Sequence, residues 1–169
     1  MIKKPLLSLL LFSVSYLIFA QQNQISNAAI TFEFVAKKVK GQIAGFQSES
    51  SIDFQNLENS VLKGSVAVKT LDTNNGLRNW SLKNGKYFDE DDHPRLYFES
   101  TSITKMENEY MVKGNLTIKG ITKPWSILFK KSSDSLKGEG QLYTSDFDIR
   151  IKKKREDNLV KIYFDFELD

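Results

Sequence analysis

The chain has 169 residues, of which 40% are hydrophobic, 27% charged and 12% aromatic, with 9 Gly and 3 Pro. That length predicts a single domain, and that composition excludes collagen-like, low-complexity and disordered chains. There is no cysteine and only one histidine, His93, which removes disulfides, thiolate metal sites, cysteine nucleophiles, lipoprotein acylation and paired-histidine chemistry. The formal charge is +3, and Lys3 and Lys4 supply two of those charges. The remainder is too balanced to indicate a nucleic-acid partner.

Residues 1–20 predict an export signal. Lys3 and Lys4 form a positive start, residues 6–19 are an apolar run, and Ala20 precedes the polar stretch that opens at Gln21. This is the layout of a cleaved secretory signal, although Ile18 stands where a small residue is expected. The apolar run is shorter than the roughly 18–20 residues that cross a bilayer. The expectation is therefore a periplasmic or secreted protein with no membrane span once the signal is removed, and a domain over residues 21–169.

The rest reads as strands. In residues 30–36, Ile30, Phe32, Phe34 and Ala36 alternate with Thr31, Glu33 and Val35. Alternation at period two marks a strand with one buried face. It returns in 61–71, where Val66 and Val68 share a face, and in 95–100 with Leu96 and Phe98. It recurs in 111–119, in 124–130, at Phe147, Ile149 and Ile151, and in 160–168. Turn signals separate these runs at Glu107-Asn108, Lys119-Gly120, residues 132–134 and residues 156–158. Short strands without intervening helical patterns predict an all-β, antiparallel sandwich or barrel. Residues 72–92 break the pattern. Leu77, Trp80 and Tyr87 or Phe88 recur at near-helical spacing and Gly85 offers a stop, which predicts a short helical insertion over one mouth of the barrel.

No catalytic constellation stands out. The acidic run 89–92 beside His93 lacks the glycine and distal glutamate of a Ca²⁺ loop, so a solvated turn ending at Pro94 is expected and no metal site is assigned. No serine lies in a Gly-x-Ser-x-Gly elbow, and no Gly-rich phosphate loop occurs. The basic run 152–155 is followed at once by Glu156 and Asp157, lies between two predicted strands and reads as a solvated hairpin tip. What remains is apolar capacity: 12 Phe, 6 Tyr and 2 Trp. A closed sheet of about eight strands either fills its interior with such side chains or holds one small ligand.

Three motifs carry a resemblance. The first is Asn75-Gly-Leu-Arg-Asn-Trp-Ser-Leu-Lys-Asn-Gly-Lys-Tyr-Phe-Asp-Glu-Asp-Asp-His-Pro-Arg-Leu-Tyr-Phe-Glu-Ser100; the second is Gly114-Asn-Leu-Thr-Ile-Lys-Gly-Ile-Thr-Lys-Pro124; the third is Ser145-Asp-Phe-Asp-Ile149. In this order they resemble the YceI-like family of exported lipid- or polyisoprenoid-binding proteins. Arg78, Tyr87, Phe88, Pro94, Phe98 and Phe147 match the family pattern, whereas its Asp and His in the first motif are replaced by Asn79 and Ser81. The third motif also departs, and the N-terminal strand pair is divergent.

The resemblance implies a lipocalin-like barrel with no enzymatic activity and no cofactor, whose interior takes an isoprenoid or other long-chain lipid or quinone. Oligomeric state stays open between monomer and homodimer. Period-two faces and the helical insertion together nominate Phe32, Phe34, Val66, Val68, Leu77, Trp80, Phe88, Leu96 and Phe98 as the tunnel lining. Trp80 is expected at the mouth, with Arg78 as donor to a phosphate or quinone oxygen. Two alternatives remain at this point: a filled barrel acting as a structural or interaction module, and a hydrolase built on residues 89–93.

Overall fold

The computed structural model describes residues 22–169, so the expected export signal at 1–20 lies outside the described residues. Nine strands form one antiparallel sheet: β1 (Ile25–Phe34), β2 (Val39–Ile43), β3 (Gln47–Ser48), β4 (Lys63–Ala67), β5 (Arg95–Met106), β6 (Glu109–Ile118), β7 (Ile121–Lys131), β8 (Ser135–Tyr143) and β9 (Leu159–Leu168). Their spatial order is β2-β1-β9-β8-β7-β6-β5-β4-β3. The one α-helix among the described residues, α1 (Gly76–Lys83), lies between β4 and β5. The all-β expectation holds, with nine strands in a curled sheet where about eight were anticipated.

Curling brings the two ends of the sheet together, and a few groups stitch them. Gln42 and Asp72 exchange backbone hydrogen bonds at 2.8 and 3.0 Å, and the Ala67 amide donates to the Ala44 carbonyl at 3.0 Å. The Thr70 hydroxyl donates to the Ala44 carbonyl and accepts from its amide. Arg95 donates to Ser65 and to the Gly45 carbonyl, where a positive φ of 67° turns the chain. These contacts satisfy edge groups that an open sheet would leave exposed.

Several boundaries differ from the periodicity. The predicted strand 30–36 stops at Phe34, because residues Val35–Lys37 form a 3₁₀ turn that leaves Ala36 exposed. The run 61–71 is a strand only over Lys63–Ala67, and Val68–Thr70 turns as 3₁₀ to reach the closure at Asp72. Phe147, Ile149 and Ile151 are not on a strand. Thr144–Phe147 is a 3₁₀ turn and Asp148 has φ of 57°, yet Phe147 and Ile149 are buried. Strand β8 escapes the pattern because Gly138 and Gly140 occupy inward positions between Leu136 and Leu142. Glycine is required at the second of these, since a Cβ on Gly140 would stand 2.6 Å from the Trp125 ring. The turn at Lys119-Gly120 has φ of 51° and 72°, the left-handed pair of a tight hairpin.

Two apolar clusters lie toward the two ends of the barrel. One gathers Tyr110, Val112, Phe129, Leu136 and Phe166; the other gathers Phe34, Leu116, Ile118, Leu142, Phe147, Ile149 and Val160. Register puts Phe34 opposite Val160 and Val160 opposite Leu142, so the second cluster lies at the end where α1 and the 3₁₀ turns gather. The 151–155 loop at that end wraps around Asn158, which is fully buried. Its Oδ1 accepts from the Ile151 and Lys152 amides, and its Nδ2 donates to the Lys152 and Lys154 carbonyls. Arg155 then pairs with Asp146 at 2.6 and 2.8 Å and lies 3.8 Å over the Tyr143 ring. The basic run thus belongs to a loop wrapped around Asn158 and is not the tip of a hairpin, because no strand lies between Tyr143 and Leu159.

Helix α1 is capped by the Asn75 side chain, which accepts from the Arg78 amide at 2.9 Å. Asn79 anchors it. Its Oδ1 accepts from the Thr73 amide and hydroxyl, and its Nδ2 donates to Asp72 Oδ1 at 2.8 Å. Hydrogen bonds from Asn79 and the Asn74 amide hold the Asp72 carboxyl below the ordinary carboxylate range.

Two outcomes test this account. Asn158→Ala leaves buried amides and carbonyls without partners and is expected to cost about 2–3 kcal/mol in urea unfolding. Asp72's contribution is present in full above the ordinary carboxylate value and is lost as pH falls through its lower value in the fold. Asn79→Ala is therefore expected to melt lower than the wild type near neutrality, with the difference narrowing in acid. A difference unchanged with pH would separate Asn79 from the Asp72 charge.

Candidate functional site

Every second residue of a strand points to one face, so a curled sheet concentrates those residues inside. In this barrel they do not fill the interior. A cavity of about 350 Å³ lies between the two end clusters, within the range of roughly 300–1,000 Å³ usual for ligand sites. Phe32, Val66, Leu96, Phe98, Ile162 and Phe164 all line it and are only half-buried, because one side of each faces open space. A filled barrel would have buried them completely. Aromatic rings continue along the wall: Phe98 meets Trp125 edge-on at 5.9 Å, Trp125 lies 6.1 Å from Phe164, and Phe164 lies 5.8 Å from Phe129.

Among the lining residues the charged side chains are Lys37 and Arg78, and there is no carboxylate. Both cations sit at the helical end, Lys37 in the 3₁₀ turn after β1 and Arg78 on α1. Among the described residues, no hydrogen bond or ion pair engages either side-chain cation. Ser65, Thr73, Ser81, Tyr87, Tyr97 and Thr144 supply the remaining polar groups around the cavity.

Seven of the ten residues nominated from the sequence line this one cavity: Phe32, Phe34, Val66, Arg78, Phe88, Leu96 and Phe98. Three do not. Val68 is 0% exposed but packs away from the space, because the 3₁₀ turn ends the β4 alternation one residue before it. Leu77 and Trp80 are 79% and 70% exposed, on the solvent side of α1. The inward side carries Arg78, Ser81 and Leu82, which follow the i, i+3, i+4 spacing of a helix face.

Several lining residues were not nominated. Ile162 and Phe164 share the β9 period with Phe166, and Trp125 shares that of Ile127 on β7, so their spacing carried the signal. Phe147, Ile149 and Ile151 were recognised as one apolar face and do line the cavity, though from a turn. Lys37 has no signal in the sequence. The acidic run 89–92 forms turns after α1, where the Glu90 amide donates to the Lys83 carbonyl and the His93 amide to that of Asp89. His93 packs over the β6–β7 turn at Gly120 and is not part of the cavity wall.

Solved proteins share this architecture. Burkholderia cenocepacia BcnA is similar with a TM-score of 0.73 at 18% identity, over 84% of this chain and 96% of that one. A Campylobacter jejuni YCEI protein is similar at 0.69 and 17% identity, over 99% of both chains. A polyisoprenoid binding domain from Saccharophagus degradans is similar at 0.59 and 8% identity, over 87% and 97%. At these identities the likeness is one of fold. Among sequences, a UPF0312 protein of Photorhabdus laumondii is 29% identical over 133 residues, 76% of this chain and 64% of its own length. One from Pectobacterium atrosepticum is 27% identical over 119 residues, 64% of this chain and 62% of its own length. The chain thus spans a little under two thirds of those relatives. The sequence pattern of the YceI-like domain matches residues 17–168, and the chain belongs to the YceI-like family.

Proposed function

We propose that this protein is an exported, non-enzymatic carrier that holds a long-chain isoprenoid, or a related lipid or quinone, inside its barrel. The observation that carries this is the wall of half-buried aromatic and aliphatic side chains around open space, free of carboxylates and with two unpaired cations at one end. Such a wall favours a molecule that is apolar along most of its length. Each methylene withdrawn from water contributes about 0.8 kcal/mol, so ten offer about 8 kcal/mol before the costs of ordering the chain. Family membership, and a fold shared with a domain described as polyisoprenoid binding, support the same class of ligand. At the helical end, Arg78 offers planar, directed donors to a phosphate, carboxylate or quinone oxygen, and Lys37 adds a second positive charge. The leader at residues 1–20 supports export, with the mature chain starting at or near Gln21.

Mass spectrometry of an organic extract of the purified protein is expected to release a lipid with a long apolar chain. Val66→Trp puts an indole into the cavity and is expected to abolish retention of a labelled prenyl lipid, at a stability cost no greater than the roughly 1–3 kcal/mol of overpacking. Arg78→Ala is expected to weaken a lipid with an anionic or quinone head while leaving a plain hydrocarbon chain unaffected. Leu77→Ala and Trp80→Ala, both on the solvent side of α1, are expected to change neither. Full retention of the prenyl lipid by Val66→Trp would place the ligand outside the cavity.

A further inference from the structure

The barrel wall is interrupted between β7 and β8. These strands pair only over Leu128–Lys131 against Leu136–Glu139. The first part of β7, residues 121–127, is laddered to β6 alone, and the last part of β8, residues 140–143, to β9 alone. Pro124 lies on the open edge, a position that tolerates a residue without an N–H.

Trp125 occupies the gap. Ile127 and Phe129 share its side of β7 and are buried inside, so its indole is directed inward. The ring passes over Gly140, where a Cβ would stand 2.6 Å from Cζ2, and Nε1 donates to the Gln141 carbonyl at 2.8 Å. One hydrogen bond from a side chain thus stands where ladder bonds would otherwise join the strands. Trp125 borders the inner cavity and also a groove of about 880 Å³ on the outer wall. At Gly140 the Ser126 carbonyl still lies close, 3.3 Å from where a Cβ would stand, and beyond it, toward Gln141, the indole spans the space between the strands.

Depth gives the gap a use. Trp125 is four residues from the β6–β7 turn at Ile121, or about 13 Å at the usual strand rise. Farther in, Phe129 and Phe166 close the barrel, at 0% and 2% exposure. The cavity runs on past Trp125 along Ile127 and Leu62 as far as Phe166, and a chain longer than that must turn or leave through the wall. Outside, Met111, Pro124, Leu128 and Tyr163 offer apolar contact, the stems of Lys113 and Lys161 flank it, and Glu139 stands opposite Tyr163.

We propose that this outer groove is a second subsite, which takes the distal part of an isoprenoid chain too long for the cavity, and that Trp125 is the gate between the two. The proposal rests on the lipid-binding reading above. Short chains leave the indole hydrogen-bonded to Gln141. Long chains displace it and continue past Gln141 into the groove, without any change in the ladders on either side.

The test compares a short prenol, farnesol, with a long one, solanesol, on the full chain. Tyr163→Glu sets a second carboxylate beside Glu139 in the exposed groove without touching the cavity. It is expected to weaken solanesol about tenfold, equivalent to returning roughly two methylenes to water, and to leave farnesol unchanged. Trp125→Phe keeps a ring but removes the Nε1 bond, and is expected to strengthen solanesol several-fold with no gain for farnesol. If the wild type retains both prenols and neither variant separates them by length, the outer subsite is overturned and the cavity reading stands. If the wild type retains neither prenol, both fall together.

Discussion

Closure of the sheet at Asp72 is the constraint on which the remaining architecture depends. The Asp72 backbone joins the β2 edge through Gln42, while its side chain accepts from Asn79. Asn79 is the residue after Arg78 on α1. One residue therefore fixes the circumference of the barrel and the placement of the helix that brings a cation to the cavity. Thr73, next in sequence, uses both its amide and its hydroxyl on the same Asn79 oxygen. The amide of Asn79 fits here for an electrostatic reason: its NH₂ donates to the Asp72 carboxylate, where an aspartate would set two negative charges against each other. The departure from the family motif at this position is thus matched to its surroundings, and it leaves Arg78 on the inward side.

The barrel remains hollow because its packing is concentrated at the ends. Phe129, Phe166 and Tyr110 fill one end, and Phe147, Ile149 and Phe34 line the other. Between them, side chains that pack against both clusters, such as Phe32, Phe88, Leu96, Phe98 and Ile162, also face the cavity. An apolar hollow is costly in a folded protein because its lining forgoes dispersion contacts on the open side. Rigid aromatic rings in mutual contact limit collapse into that space, and they leave a surface that an apolar molecule can complete. Stability and the capacity to bind thus come from different parts of the same inner face.

How much of this was legible follows from what period two can and cannot record. Long strands with a full apolar face, such as β9 with Ile162, Phe164 and Phe166, are evident from spacing alone. Strand β8 is not, because its inward Gly138 and Gly140 yield room to Phe129 and Trp125 and so carry no apolar signal of their own. Val68 follows the β4 period in sequence, but the chain has already turned toward the closure at Asp72. In α1 the large apolar residues Leu77 and Trp80 suggested the inward face, whereas anchoring by Asn79 turns Arg78, Ser81 and Leu82 inward instead. Helical spacing identifies faces, and only tertiary hydrogen bonds decide which of them is covered.

The same hydrogen bonds distinguish the two ends of any route into the cavity. Moving α1 would break the Asn79 contacts to Thr73 and Asp72, the bond from Lys83 Nζ to the Lys69 carbonyl, and that from Lys119 Nζ to the Gly85 carbonyl. Moving Trp125 breaks one bond, to Gln141, on strands whose ladders are already separate at that height. Each exchanged hydrogen bond is worth only about 1 kcal/mol net, but several in one rigid element must be lost together. On the proposed route the wall yields at one side chain, Trp125, while the helix bearing Arg78 is held by several bonds at once. A fixed Arg78 and a yielding apolar wall suit a ligand whose head is held in one place while the length of its tail varies.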